Sequence, residues 1–205
     1  MLIFLKKRGP YPNNFLVKLY FKNKNDFFLI FIVRSNKQYA MNIFILSLCV
    51  KECAEYMCDK HIIKIILECV QMLSTAKHIL DPENTDTSKI YKISHINHPC
   101  SIWVRTSYEN YMWTIALVEA MHNEWKFRYN HPESKHHKSY IVSQYLKNNP
   151  PPFSNNKLTP FAQAMPDEFK RENAVDAYRL YYQSDSKKKI CNWKKRNKPD
   201  WYTSV

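Results

Sequence analysis

An acid, an imidazole and an amine recur at helical spacing along one stretch of this sequence. His61, Lys64, Glu68, Gln71, Thr75 and His78 follow one another at steps of three and four. On an α-helix, at about 100° per residue, these six side chains share a sector of roughly 100°. A carboxylate, an imidazole and an amine on one face can support acid–base or Schiff-base chemistry. The plainer reading is a solvated face, with Lys64 and Glu68 as an i,i+4 pair worth roughly 0.3–0.5 kcal/mol. Ile63, Ile65 and Leu67 flank the row, which suits a narrow polar stripe bordering a cleft.

Other residues invite a metal reading. Cys49-x3-Cys53-x4-Cys58-x2-His61 and His95-x2-His98-x-Cys100 carry zinc-ligand residue types. Neither spacing is that of a zinc finger or ribbon, and the cysteines also fall where small buried residues are wanted. His131, His136 and His137 read as a basic loop. The expectation is no metal and no cofactor. The single glycine, Gly9, excludes Walker loops, dinucleotide fingerprints, nucleophile elbows and EF-hands, which need glycine for backbone reasons.

The elements that must position the stripe are helical. Ile62, Ile66, Cys69, Leu73, Ala76 and Leu80 repeat at the same steps on a second face. The pattern predicts a long helix over Asp59–Leu80, ended by Asp81-Pro82. A short helix over residues 51–57 precedes it. Residues 83–97 read as a loop, and Pro99 suits a first helical turn, where its missing N–H costs nothing. Thr106-Ser107-Tyr108-Glu109 has capping-box spacing for a helix to about Tyr129. A further helix over residues 140–147 stops at Pro150-Pro151-Pro152. Residues 153–168 form a proline-bounded loop, and residues 173–195 read as one last helix. The fold class is mostly α, a compact single-domain helical bundle with irregular loops and a basic C-terminal tail.

The chain has 205 residues and a net charge of +13, carried at its ends. Residues 1–40 contribute +7 and residues 186–205 contribute +6, around a neutral body. Such basic ends suit a polyanion, although Lys187, Lys188 and Lys189 also suit a helix that needs solubility. Residues 1–40 read as an arm, a targeting peptide or, preferred, leader sequence upstream of a start at Met41. The domain is then 41–205, with its tail at 186–205. No secretory signal is evident, so the six cysteines are expected reduced and the protein intracellular. No apolar run approaches the roughly 20 residues of a membrane span.

Two stretches carry a resemblance. The first runs from Met41-Asn42-Ile43-Phe44 through Cys58-Asp59-Lys60-His61 to Glu68 and Gln71-Met72-Leu73-Ser74-Thr75-Ala76. The second holds Asn97-His98-Pro99-Cys100, Trp103 and Glu119-Ala120-Met121-His122-Asn123-Glu124 on to Tyr129. With Pro160-Phe161-Ala162-Gln163 and Trp193-Lys194-Lys195, they resemble a family of small phage, viral and bacterial helical proteins over residues 41–202. More distantly, the pattern is similar to the pyrimidine-dimer DNA glycosylases of the phage endonuclease V type. Asp59, His61 and Glu68 match that family's Asp-x-His-x6-Glu element. His98-Pro99 and Glu124, Arg128 and Tyr129 match its second element. The resemblance implies an α-amine nucleophile at the mature N-terminus, assisted by a helix glutamate that maps to Glu68. The nucleophile itself does not map cleanly: after Met41 comes Asn42, too large for ready methionine removal. Met41, Lys60 and Lys64 are then the candidate amines.

The reading is a DNA-acting protein that excises a damaged base, with a possible strand-nicking step. Glu68, His61 and Lys64 are the expected catalytic residues. Arg105, Arg128, Lys187, Lys188, Lys189, Lys194 and Lys195 are expected on DNA, since phosphates call for cationic donors. Trp193 either stacks in the gap left by an extruded base or packs the last helix down. The expected partner is damaged duplex DNA, without a membrane, and the protein is expected as a monomer. The alternatives are a non-enzymatic module that binds nucleic acid or a viral partner, and a different nucleotide-directed enzyme.

Overall fold

The computed structural model describes residues 41–203, and the expectation for residues 1–40 lies outside them. Seven α-helices form among the described residues: α1 (Val50–Tyr56), α2 (Asp59–Leu80), α3 (Pro99–Thr106), α4 (Tyr108–Tyr129), α5 (Lys138–Asn148), α6 (Ala174–Tyr182) and α7 (Asp185–Lys188). A single 3-10 turn spans Asp167–Phe169, and no strand occurs among the described residues. The all-helical expectation therefore holds.

α2 and α4 are the central pair. α2 packs on α3, α4 and α5, and α4 also receives α1, α3 and α5. The apolar row of α2 is buried from Ile62 to Ala76. Residues 41–46 run extended into the core, where Met41, Ile43, Phe44, Ile45 and Leu46 are all buried. α4 has no single apolar stripe, because neighbours cover most of its circumference. Its buried polar residues, Asn110, Thr114, Glu124 and Arg128, find partners within the protein instead.

Two helix ends differ from the sequence reading. The cap of α4 is Ser107, which accepts the Asn110 amide at 3.1 Å. Thr106 is the last residue of α3, and its hydroxyl donates back to the Ile102 carbonyl at 2.8 Å. One residue's shift thus replaces the expected capping box.

The single last helix over residues 173–195 is also corrected. Asn173 caps α6 as its side chain accepts the Val175 amide at 2.8 Å, but α6 ends at Tyr182. Ser184 is extended (ψ 152°) and a one-turn α7 follows. Ser184, Asp185 and Ser186 offer short polar side chains that compete for the backbone and lower helix propensity. Beyond α7 the chain turns to join α2: the Asp59 amide donates to the Asn192 carbonyl at 2.8 Å. The basic C-terminal segment is therefore bound along the body. Trp193 donates to the Tyr56 carbonyl at 2.9 Å, and Arg196 donates to Glu124 at 2.8 Å.

Candidate active site

Helix α2 carries the three expected catalytic residues and divides them between two environments. Lys64 projects outward with its side chain 67% exposed, whereas the Glu68 side chain is 7% exposed. Their ion pair exists, Nζ to Oε1 at 3.3 Å. A solvated surface pair is nevertheless the wrong description, because Glu68 is enclosed by the extended N-terminal strap. Its Oε2 accepts the backbone N–H of Asn42 at 2.9 Å. A charged acceptor strengthens such a bond and fixes the carboxylate.

The Asn42 side chain anchors the strap. Its Nδ2 donates to the Ala164 carbonyl at 2.8 Å. Its Oδ1 accepts from the Tyr178 hydroxyl at 2.9 Å and from the Cys100 thiol at 3.7 Å. Burial pushes the Cys100 thiol up to about 12 and keeps it neutral. The proline-bounded loop and α6 thus meet the strap directly beside Glu68.

His61 lies about two helical turns before Glu68, also buried. Its Nδ1 shares a short hydrogen bond with the Tyr182 hydroxyl, and Tyr182 accepts the Cys58 amide at 3.2 Å. Phe44 stacks on the imidazole at 4.4 Å between ring centroids. The Lys187 Nζ stands 5.0 Å from the centroids of both Phe44 and Tyr181. Burial lowers the Lys187 ammonium below its ordinary value. Cys58 and Cys191 are neighbouring free thiols beside this group. The Cys191 contact first, and His61 after it, hold the Cys58 thiol below the usual range. Cys191 is correspondingly raised.

The zinc-like spacings do not converge. Cys53 instead donates to the Phe44 carbonyl at 3.1 Å, and His98 caps α3 by accepting the Cys100 amide at 3.2 Å. Among the described residues no three of His, Cys, Asp and Glu come together as a metal site.

The residues expected on DNA fall into distinct settings. Arg128 has 0% side-chain exposure. It reaches Glu124 at 2.6 Å, Asp59 at 3.1 Å and the carbonyls of Met57 and Glu55 at 2.7 and 2.9 Å. Every donor nitrogen faces the interior, so Arg128 holds the α2 start to the α4 end. Asp59 completes this knot by accepting the Lys194 amide at 3.0 Å. Burial works against the Glu124 charge, but hydrogen bonds from Arg196 and then Arg128 outweigh it and hold the carboxyl low.

Arg105 is half-buried and donates to the Ile96 carbonyl at 2.6 Å. The Lys194 and Lys195 ammoniums lie over the rings of Tyr129 and Phe127. Lys189 is exposed and Lys188 half-buried. Trp193 meets Tyr202 edge-on at 4.7 Å.

Sequence reasoning missed Asn42, Phe44, Tyr178 and Tyr182 as neighbours of the stripe. Their partners stand up to 136 residues away, and no local pattern records such a distance.

A helical scaffold with a buried carboxylate held by the Asn42 amide of the strap, with an imidazole and an amine on the same helix, suits acid–base work on a cationic intermediate. Residues 41–137 match the family model of the pyrimidine dimer DNA glycosylase. The chain is thus DNA-glycosylase-like over that region, which holds Glu68, His61 and Lys64 and stops short of α5. No curated protein and no solved structure matches the chain. No described helix is long and apolar enough to cross a membrane.

Proposed function

We propose that this protein excises a damaged base from duplex DNA, as a monomer, with Glu68 as its catalytic carboxylate. The observation that carries the reading is the Asn42 N–H on Glu68 Oε2 at 2.9 Å, at the start of the glycosylase-like region. A positioned carboxylate stabilises a cationic sugar or orients water. The same reading includes an abasic-site lyase step, which requires an amine nucleophile near this carboxylate. His61 and Lys64 set the local charge. Arg105, Lys188, Lys189, Lys194 and Lys195 contact phosphates.

A second reading is binding without chemistry. It is favoured by the two bonds already made by Glu68, to Asn42 and to Lys64, which would equally serve to hold the strap. Release of base from a duplex containing a pyrimidine dimer separates the two. Glu68→Gln lowers excision by about 10²–10⁴-fold, typical of a positioned acid or base, with DNA affinity retained. Equal rates for wild type and variant would remove the catalytic assignment.

A further inference from the structure

The six cysteines fall into three settings. Cys53, Cys69 and Cys100 are buried, and burial pushes each of these thiols up, which keeps them protonated and inert. Cys49 is exposed. Cys58 and Cys191 differ from both groups: they are free thiols brought together from opposite ends of the described chain.

The backbone explains how they meet. Residues 56–59 and 191–194 run alongside each other. The Asp59 amide donates to the Asn192 carbonyl at 2.8 Å, the Lys194 amide to Asp59 Oδ1 at 3.0 Å, and the Trp193 indole to the Tyr56 carbonyl at 2.9 Å. Cys58 and Cys191 each immediately precede one partner of the first of these bonds. Cys58 is also the N-cap of the 22-residue α2, and its amide donates to the Tyr182 hydroxyl at 3.2 Å. Cys58 is fully enclosed, whereas Cys191 is half-buried and open to small solutes.

A helix N-terminus and a nearby imidazole both favour a thiolate. Cys191 first and then His61 hold the Cys58 thiol low against the effect of burial. Cys191 is raised by Cys58, so the pair carries one negative charge with its proton on Cys191.

We infer that Cys58 and Cys191 form a redox-active dithiol that takes a hydroperoxide as its oxidant and closes to an intramolecular disulfide. The inference stands apart from the glycosylase reading. The new bond fastens the basic C-terminal segment to the start of α2, one turn from His61.

The reaction balances with hydrogen peroxide. The half-exposed Cys191 sulfur attacks one peroxide oxygen as its proton passes to the Cys58 thiolate. The O–O bond breaks and hydroxide leaves, giving a sulfenic acid on Cys191 and a thiol on Cys58. The Cys58 sulfur then attacks the sulfenic sulfur to form the S–S bond, and the hydroxyl leaves with the thiol proton as water. The two sulfurs together lose two electrons, which the peroxide oxygens gain.

The test treats the full chain with hydrogen peroxide under native conditions, after reduction with a phosphine that is then removed. Peptide mass spectrometry without reductant should find the Cys58 and Cys191 peptides joined and lighter by two hydrogens. Fresh phosphine should restore both thiols, and the helical circular-dichroism signal should persist throughout. Cys191 should be consumed at least about tenfold faster than Cys49, the reverse of their order by exposure, because thiolate character sets the rate. Cys58→Ala should leave Cys191 reacting no faster than Cys49 and let dimedone trap its sulfenic acid. Cross-links through any other cysteine, Cys49 reacting first, Cys191 stopping at an unresolved sulfur acid in wild type, or joining only with loss of the helical signal overturns the inference. Should Cys58→Ala fail to fold, the wild-type peptide map and rate order decide.

Discussion

Asn42 and Glu68 are 26 residues apart, yet the amide of one donates to the carboxylate of the other at 2.9 Å. This contact turns a stripe on one helix into a site, because it brings a second segment over the carboxylate. Asn42 is thereby a structural pin beside the Glu68 carboxylate.

Removing the Asn42 side chain tests the pin. Asn42→Ala leaves the buried Ala164 carbonyl without its 2.8 Å donor and takes an acceptor from Tyr178. A buried polar group left unpaired costs about 1–3 kcal/mol. Urea denaturation should show a loss of that size, with the helical circular-dichroism signal retained. An unchanged midpoint would mean that the strap is held by its apolar residues alone.

Arg128 offers a sharper contrast between structural and DNA-binding roles. Arg128→Met removes the one fully buried cation shared by two buried carboxylates, Asp59 and Glu124. Breaking a buried pair in this way costs about 3–5 kcal/mol. Arg196→Met, at the partly exposed edge of the same knot, leaves Glu124 its Arg128 partner and should cost less. Chemical unfolding of both variants ranks them. Equal losses would contradict the buried role of Arg128.

His122 should make stability depend on pH. It is 2% exposed, lies 3.7 Å from the Tyr140 ring, and neither of its ring nitrogens has a hydrogen-bond partner. Burial first, then the charges of Lys126, His136 and His137, push it from 6.5 down to about 4, against a small opposing effect of Glu133. Between those values the unfolded chain binds the extra proton, so stability falls as pH drops from 6.5 toward 4. Above 6.5 this residue adds no slope. His122→Phe keeps a ring on Tyr140 and should flatten that part of the Tm-against-pH curve relative to wild type. Parallel curves would assign the acid sensitivity to other groups.

The basic C-terminal segment should act through charge without reading sequence. Neutralising Lys188 and Lys189 should flatten the salt dependence of DNA binding by about 0.9 in logarithmic slope per lost phosphate contact. Lys195 should contribute less, because its ammonium already donates to the Phe127 carbonyl at 2.9 Å and to Asn130. Fluorescence anisotropy across a salt series measures each slope. A slope unchanged by the Lys188 and Lys189 substitutions would make this segment a solubilising surface.

The sequence by itself determined the helices whose signals are local. The apolar and polar rows bounded α2 at Asp59 and Leu80, and Pro99 marked the first turn of α3. Periodicity is a property of neighbouring residues, so it survives without knowledge of the rest of the chain. It also placed His61, Lys64 and Glu68 on one helix. Tertiary structure decided which of them is covered, because burial depends on segments remote in sequence. The 41–46 strap closes over Glu68, Tyr182 takes the His61 imidazole, and the broken end of α6 lets Lys187 reach Phe44. The same physics moved Arg128 from an expected phosphate contact to the interior. Its charge is legible in the sequence, but only the fold brings Asp59 and Glu124 close enough to hold it there.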